Sequence, residues 1–306
     1  MEVNNKYIRF DWAVKRILRD KANFAVLEGL ITVLLGEKIT ISEILESEGN
    51  QEHDYDKFNR VDIKALNSKG EIIIVEVQLT RQIYYLQRML YGVSKAITEL
   101  ISLGDGYGHV KKVYSINIIY FDLGRGSDYL YHGKTEFRGV HTGDLLEVNT
   151  KEMNELKLRV PGDIFPEYFI IRVNEFNSVA RTPLEEWLDY LKNNRISDTT
   201  TTPGLQEARE KLLYLSMSEA ERKAYERNID IIVSQNDALA TSRAEGRDEG
   251  RAEGIEIGRE EGIEIGRAEG ERQKSVAIAR KLKAMGMDVA TIRKTTDLSA
   301  EEIASL

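Results

Sequence analysis

The chain has no cysteine in 306 residues, and only four prolines and four histidines. Without cysteine there can be no disulfide, no thiolate zinc site and no cysteine nucleophile, which fits an expected cytoplasmic location. His53, His109, His132 and His141 share no metal-ligand spacing and are expected on the surface or in loops. No run of about 18 apolar residues occurs, so no spanning helix and no membrane partner are expected. The opening stretch MEVNNKYIRFDW lacks a signal peptide's apolar centre. Positive charge is not in excess: 43 Lys and Arg against 51 Asp and Glu leave a net charge of -8. The molecule as a whole therefore does not attract phosphate. Much of the acid lies in the C-terminal third, which leaves room for a local basic surface earlier in the chain. A content of 42% hydrophobic and 31% charged residues describes a globular chain with one sizeable core and an appendage, or two domains.

The stretch from Arg60 to Leu79, RVDIKALNSKGEIIIVEVQL, reads as two strands around a turn. Val61 to Leu66 is the first, Asn67 to Gly70 supply turn residues, and Ile72 to Leu79 is the second. The second is almost wholly Ile, Val and Leu, the pattern of a central strand covered on both faces. Glu76 and Gln78 interrupt it, and strand alternation points both to one face while Val77 points to the other. Burying a carboxylate there costs roughly several kcal/mol unless a partner or a metal compensates. Asp62, on the neighbouring strand, can bring a second carboxylate to the same place. Two acids and a carbonyl oxygen suit a divalent cation such as Mg²⁺, which takes oxygen ligands.

Before the hairpin, the spacing predicts a helix over 10–18 and another over 23–35 ended by Gly36, then a strand over 39–45. Asp11 and Lys15 stand one turn apart, as an exposed ion pair would. After it, a helix over 81–103 sets Arg81, Arg88 and Lys95 seven residues apart among Tyr84, Tyr85 and Tyr91. That stripe can track a phosphate backbone, or the tyrosines can be half-buried core. Strands are expected over 113–121, 128–137 and 168–173, and a Thr182-capped helix begins at Pro183.

The order Asp62, then Glu76-Val77-Gln78, resembles the D…(D/E)xK signature of the PD-(D/E)XK nuclease superfamily. More narrowly, the chain resembles the Rpn family of recombination-promoting nucleases, also called transposases. The likeness extends to FDWAVKRIL, KFNRVDIKA, RQIYYLQRMLYGVSKAI, GDGYGHVKKVYSINIIYF and the tail AMGMDVATIRKTTDLSAEEI, in the family's order. It implies an α/β fold with an αβββαβ core, a mixed sheet flanked by helices, and a helical C-terminal extension. It also implies a Mg²⁺-dependent DNA endonuclease. Asp62, Glu76 and Gln78 would be catalytic, and Asp62, Glu76 and the Val77 carbonyl would hold metal, with Asp11 as a further candidate. Lys15, Arg60, Lys64, Arg81 and Arg88 would meet DNA. The third motif residue is usually Lys; here Gln78 can hold a water but carries no charge, so the site would recruit Lys64, Arg88 or another cation. A second reading keeps the fold and loses the chemistry: a degenerate protein associated with DNA or with its own copies. The blandest reading of the residues themselves makes Asp62 an ordinary surface acid and puts Glu76 and Gln78 at the wet end of a strand.

The organisation expected is a nuclease domain over 1–195, a Ser/Thr-rich linker over 196–204, and a helical region over 205–242. A glycine repeat over 243–274 and a small helical tail over 275–306 follow. Ser218 with Glu221 makes a capping box for a helix to about Ala240. From Gly246 to Gly270 glycine recurs at every fourth position, seven times, at about 1 kcal/mol each against alanine in a helix. The period exceeds 3.6, so the glycine line drifts around a straight helix. Two readings remain: a charged tether, or a helix whose bare line lets another chain approach, which implies a homo-oligomer through the C-terminal region. The tail, with Asp288 and Ser299 as caps, is helix-turn-helix-like. Its last helix, AEEIASL, carries no Arg or Lys, which favours a packing module over a major-groove reader.

Overall fold

The computed structural model describes residues 7–16, 18, 20–45, 61–101, 105–152 and 155–306. The chain divides into two compact units, Met1–Lys223 and Ala224–Leu306.

The first unit is built on a sheet. Strands β1 (Ile41–Leu45), β2 (Ile63–Asn67) and β3 (Ile72–Gln78) form an antiparallel meander. Asn67 organises the turn between β2 and β3: its Oδ1 accepts from the Lys69 and Glu71 amides. Strand β4 (Val113–Ile119) then pairs parallel with β3. Strands β5 (Leu130–Gly133), β6 (Val148–Glu152), β7 (Glu155–Arg159) and β8 (Glu167–Arg172) follow. The six-stranded order is β1-β2-β3-β4-β8-β5, and β6 with β7 forms a separate hairpin. The sheet is therefore mixed, with the Ile- and Val-rich β3 and β4 at its centre.

Helices cover both faces. Helix α3 (Tyr85–Glu99) crosses between β3 and β4 and lays Val93 and Ala96 on Ile72, Ile74 and Val113. Ile119 packs with Tyr85 of this helix. Alternation therefore turns Tyr120 to the other face, where its hydroxyl donates to the Leu191 carbonyl at 2.9 Å. There, α1 (Phe10–Arg16), α2 (Phe24–Leu35), α4 (Pro183–Asn193) and α5 (Leu205–Lys211) gather. Phe10, Trp187 and Tyr190 meet edge to face, with centroids 5.9 to 6.2 Å apart. Such ring pairs contribute about 0.5–1.5 kcal/mol beyond their burial. As the sequence predicts, α2 ends at a left-handed Gly36 and Thr182 caps α4; Glu185 completes a capping box there.

Several expected boundaries move. The strand over 128–137 is only β5, and the helix over 81–103 begins at Tyr85, which leaves Arg81 outside it. The β6–β7 hairpin escaped the sequence reading: ELKLR alternates over only five residues, and its partner VNTKE shows no apolar alternation. Most clearly, 196–204 is not a linker. Thr200 and Thr202 are buried, both hydroxyls donate to the Glu186 carboxylate, and the Trp187 indole donates to the Pro203 carbonyl at 3.1 Å. Polar composition mimicked a tether, whereas these hydroxyls satisfy a neighbouring helix.

The second unit holds most of α6 (Glu219–Ala284), with α7 (Val289–Thr296) and α8 (Ala300–Ser305). Helix α6 does not stop near Ala240; it runs through every glycine of the repeat, so the tether reading does not hold. Ala279, Ile292, Leu298 and Ile303 form a small core where its end meets α7 and α8. Lys283 closes α8 by donating to the Ile303 and Ala304 carbonyls at 3.0 Å each.

A Cβ on Gly29 of α2 would lie 2.2 Å from the Gly204 Cα, a backbone atom that cannot step aside. Gly29→Ala is expected to cost about 1–3 kcal/mol by overpacking, seen as a fall of several degrees in melting temperature. Gly106→Ala, where a Cβ meets nothing within 4 Å and φ is -73°, should cause no fall.

Candidate active site

The β2–β3 register pairs Ile63 with Val75 and Lys64 with Ile74. One further step sets Asp62 opposite Glu76, and opposite residues of an antiparallel pair share a face. The Val77 amide donates to Asp62 Oδ2 at 2.7 Å, which ties Asp62 to the end of β3. A residue's N–H and C=O leave a strand on the same edge, so the Val77 carbonyl faces this side as well. The two carboxylates and the carbonyl named in the sequence thus meet at one corner of the sheet.

Glu76 is only 5% exposed. Arg88 Nη2, from the first turn of α3, lies 2.6 Å from Glu76 Oε1, yet that buried oxygen receives no aligned hydrogen bond. Burial pushes the Glu76 carboxyl above its usual range; the positive charge of Arg88 opposes the shift, and the negative charge of Asp62 adds to it. Tyr85 and Arg88, three residues apart on one helical face, both turn toward this corner. The Tyr85 hydroxyl is raised well above the ordinary phenol by burial and then by the negative charge of Glu76.

A polar layer lies beneath. Asn117 is the β4 register partner of Glu76. It accepts from the Tyr85 hydroxyl at 3.1 Å and donates to Ser115 Oγ at 3.0 Å. Neither Tyr85 nor Asn117 stood out as a site residue; the signal was a lone Asn and Ser two apart in the apolar run VYSINIIYF.

The other candidates are spread differently. Gln78 is half-buried beside Glu76, and among the described residues its side-chain amide donates only to Thr80, at 3.3 and 3.4 Å. Lys64 does not reach the acids: its ammonium is held by Glu99 at 2.5 Å, at the far end of α3. Lys15 and Arg81 are exposed, and Arg60 lies outside the described residues. Asp11 is buried and bound to Arg9 at 2.8 Å rather than paired with Lys15 on the surface. Among the described residues, no three of His, Cys, Asp and Glu converge, so Asp11 does not complete a triad with Asp62 and Glu76. The tyrosines divide: Tyr85 is core, Tyr84 is exposed. His132 is exposed, as expected, and there stacks on Phe169 and bonds Glu167 at 2.5 Å.

An all-oxygen donor set with one buried, under-bonded carboxylate fits a hard divalent cation that keeps several waters. Meanwhile, Arg88 supplies the positive charge that Glu76 demands.

Meander, crossover helix, parallel fourth strand and paired acids together define the PD-(D/E)XK nuclease class. Over residues 8–242 the chain matches the family described as PD-(D/E)XK nuclease family transposase. Over 272–306 it matches the C-terminal HTH domain of the Rpn/YhgA-like nuclease family. The first match spans well over half of the chain, which therefore belongs to this nuclease-transposase family, of the Rpn type. No curated protein and no solved structure matches it. Members of the class typically use divalent cations. The tail is accordingly a helix-turn-helix rather than only a packing module, although α8 carries Glu301 and Glu302 and no basic residue. No helix among the described residues is long and apolar enough to cross a membrane.

The raised Glu76 carboxyl has a measurable consequence. The folded chain holds this proton more tightly than the unfolded chain, whose reference value is 4.5. Ionising Glu76 therefore costs stability, and the cost grows as pH climbs above that reference value. In EDTA at pH 8, Glu76→Gln should melt higher than the wild type. The difference should close as pH falls to about 4, which melting curves across pH will show.

Proposed function

We propose that this chain is a Mg²⁺-dependent DNA endonuclease that hydrolyses phosphodiester bonds, of the recombination-promoting, transposase-associated type. The observation that carries the reading is the facing pair Asp62 and Glu76, locked in register by the bond from the Val77 amide to Asp62. Asp62, Glu76 and the Val77 carbonyl would hold the cation. Once bound, such an ion lowers the pKa of a water and stabilises charge on the phosphate.

The chain's own residues do the rest. Gln78, held through Thr80, orients water by hydrogen bonding. Arg88 supplies the charge that the motif's usual lysine would bring; of the two cations considered, it is the one beside Glu76, while Lys64 is occupied by Glu99. A planar guanidinium also suits a phosphate. Lys15 and Arg81 are exposed and remain candidates to follow the DNA backbone, with Arg60 beside Val61 in sequence. The lack of cysteine supports a cytoplasmic setting.

One observation favours the degenerate reading: Arg88 already neutralises Glu76, and Gln78 brings no charge. Plasmid cleavage separates the two. With Mg²⁺ the wild type should nick, EDTA should stop it, and Asp62→Ala should lose at least 100-fold. Arg88→Ala should lose about 10- to 100-fold, with partial recovery in Arg88→Lys. Mg²⁺ should also raise the melting temperature of the wild type but not of Asp62→Ala. A wild type that cuts no DNA form with any divalent metal would overturn the endonuclease reading in favour of the binding or assembly role.

A further inference from the structure

Helix α6 has a long exposed stretch. Every residue from 233 to 274 is exposed, and a Cβ added to any of the seven repeat glycines would meet nothing within 4 Å. Ile255, Ile257, Ile263 and Ile265 are 63, 50, 62 and 64% exposed. Seven glycines cost roughly 7 kcal/mol against alanine, and most helical stability in proteins comes from packing. Among the described residues, this stretch has none.

The residues between the glycines are sorted. Those just after a glycine are Arg247, Arg251, Ile255, Arg259, Ile263 and Arg267; those just before the next are Glu249, Glu253, Ile257, Glu261, Ile265 and Glu269. Between them stand Asp248, Ala252, Glu256, Glu260, Glu264 and Ala268. Around the helix the first set forms one flank of the glycine line, the second the other, and the third the opposite side. Arginine and glutamate thus edge the two sides of the line, each row changing to isoleucine at the same two cells. Within one helix Glu253 and Glu261 have no basic residue three or four positions away. Among the described residues, none of these four arginines forms an ion pair.

We propose that this face docks on the same face of a second copy of the chain, parallel and in register. In a parallel two-fold pair with glycine lines in contact, each helix's first flank lies against its partner's second. Arg251 then sits between the partner's Glu249 and Glu253, Arg267 beside the partner's Glu269, and Ile255 and Ile263 against the partner's Ile257 and Ile265. An antiparallel pair would set arginine against arginine and glutamate against glutamate. Charge complementarity therefore selects both the occupant and its direction.

The period selects the crossing. Four residues turn an α-helix by about 400°, so the glycine line creeps forward about 40° per repeat, and a partner keeps contact only by wrapping right-handed. Closely approaching Gly-xxx-Gly helices cross with that hand, at about 40°. Here the glycines admit the partner's backbone, while the flanks supply attraction and register.

The test uses the full chain. Sedimentation of the wild type should show a dimer. A triple variant Arg251→Glu, Arg259→Glu, Arg267→Glu should be monomeric, as should Glu253→Arg, Glu261→Arg, Glu269→Arg. Mixing the two should restore a dimer, because the swapped flanks again complement each other. Since the chain has no cysteine, Gly254→Cys and Gly266→Cys can each be oxidised separately. Each should link to its own copy if the pair is parallel and in register. A monomeric wild type, charge variants that remain dimeric, or a disulfide found only when the two cysteine variants are mixed would overturn the proposal.

Discussion

The first unit depends on a conflict within β3. The strand is central because its isoleucines and valines bury both faces, and that burial makes Glu76 costly. The carboxylate stays where hydrophobic packing would exclude it because charge is brought to it. Arg88 arrives from α3, and Asp62 is fixed by the Val77 amide. Strand order, crossover helix and polar layer can all be read as arrangements around one buried negative group. Burial raises its affinity for a proton, the positive charge of Arg88 opposes that rise, and Asp62 adds to it.

Much of this was legible before any coordinates. The turn residues NSKG marked the hairpin, the neighbouring strand offered Asp62 as a second acid for Glu76, and the cap at Thr182 and the capping box at Ser299 marked helix starts to the residue. Local physics governs each of these. What stayed hidden depended on contacts between distant segments. Lys64 is diverted by Glu99, 35 positions away, which no spacing rule foresees. Asn117 matters because a parallel register places it beside Glu76, and parallel register is set by packing of the crossover. The Ser/Thr stretch read as a linker because composition cannot tell hydroxyls that meet water from hydroxyls that meet Glu186.

The second unit shows a different balance. Its small core of Ala279, Ile292, Leu298 and Ile303 and its well-formed caps account for α7 and α8. Nothing comparable supports the glycine stretch. A sequence that places glycine in a helix seven times forgoes propensity everywhere and gains a surface with no side chain in the way. The rows beside that surface are ordered by charge, so the lost propensity is traded for directional recognition.

The bond from the Val77 amide to Asp62 has one more implication. Side chains alternate along a strand, so a slip of β2 by one residue would turn Asp62 to the opposite face. That slip would break this bond and part the two acids together. Correct strand alignment and an assembled acid pair are therefore the same event. On the proposed reading, a chain that folds wrongly is harmless to DNA, and quality control of a hazardous activity is written into the hairpin itself.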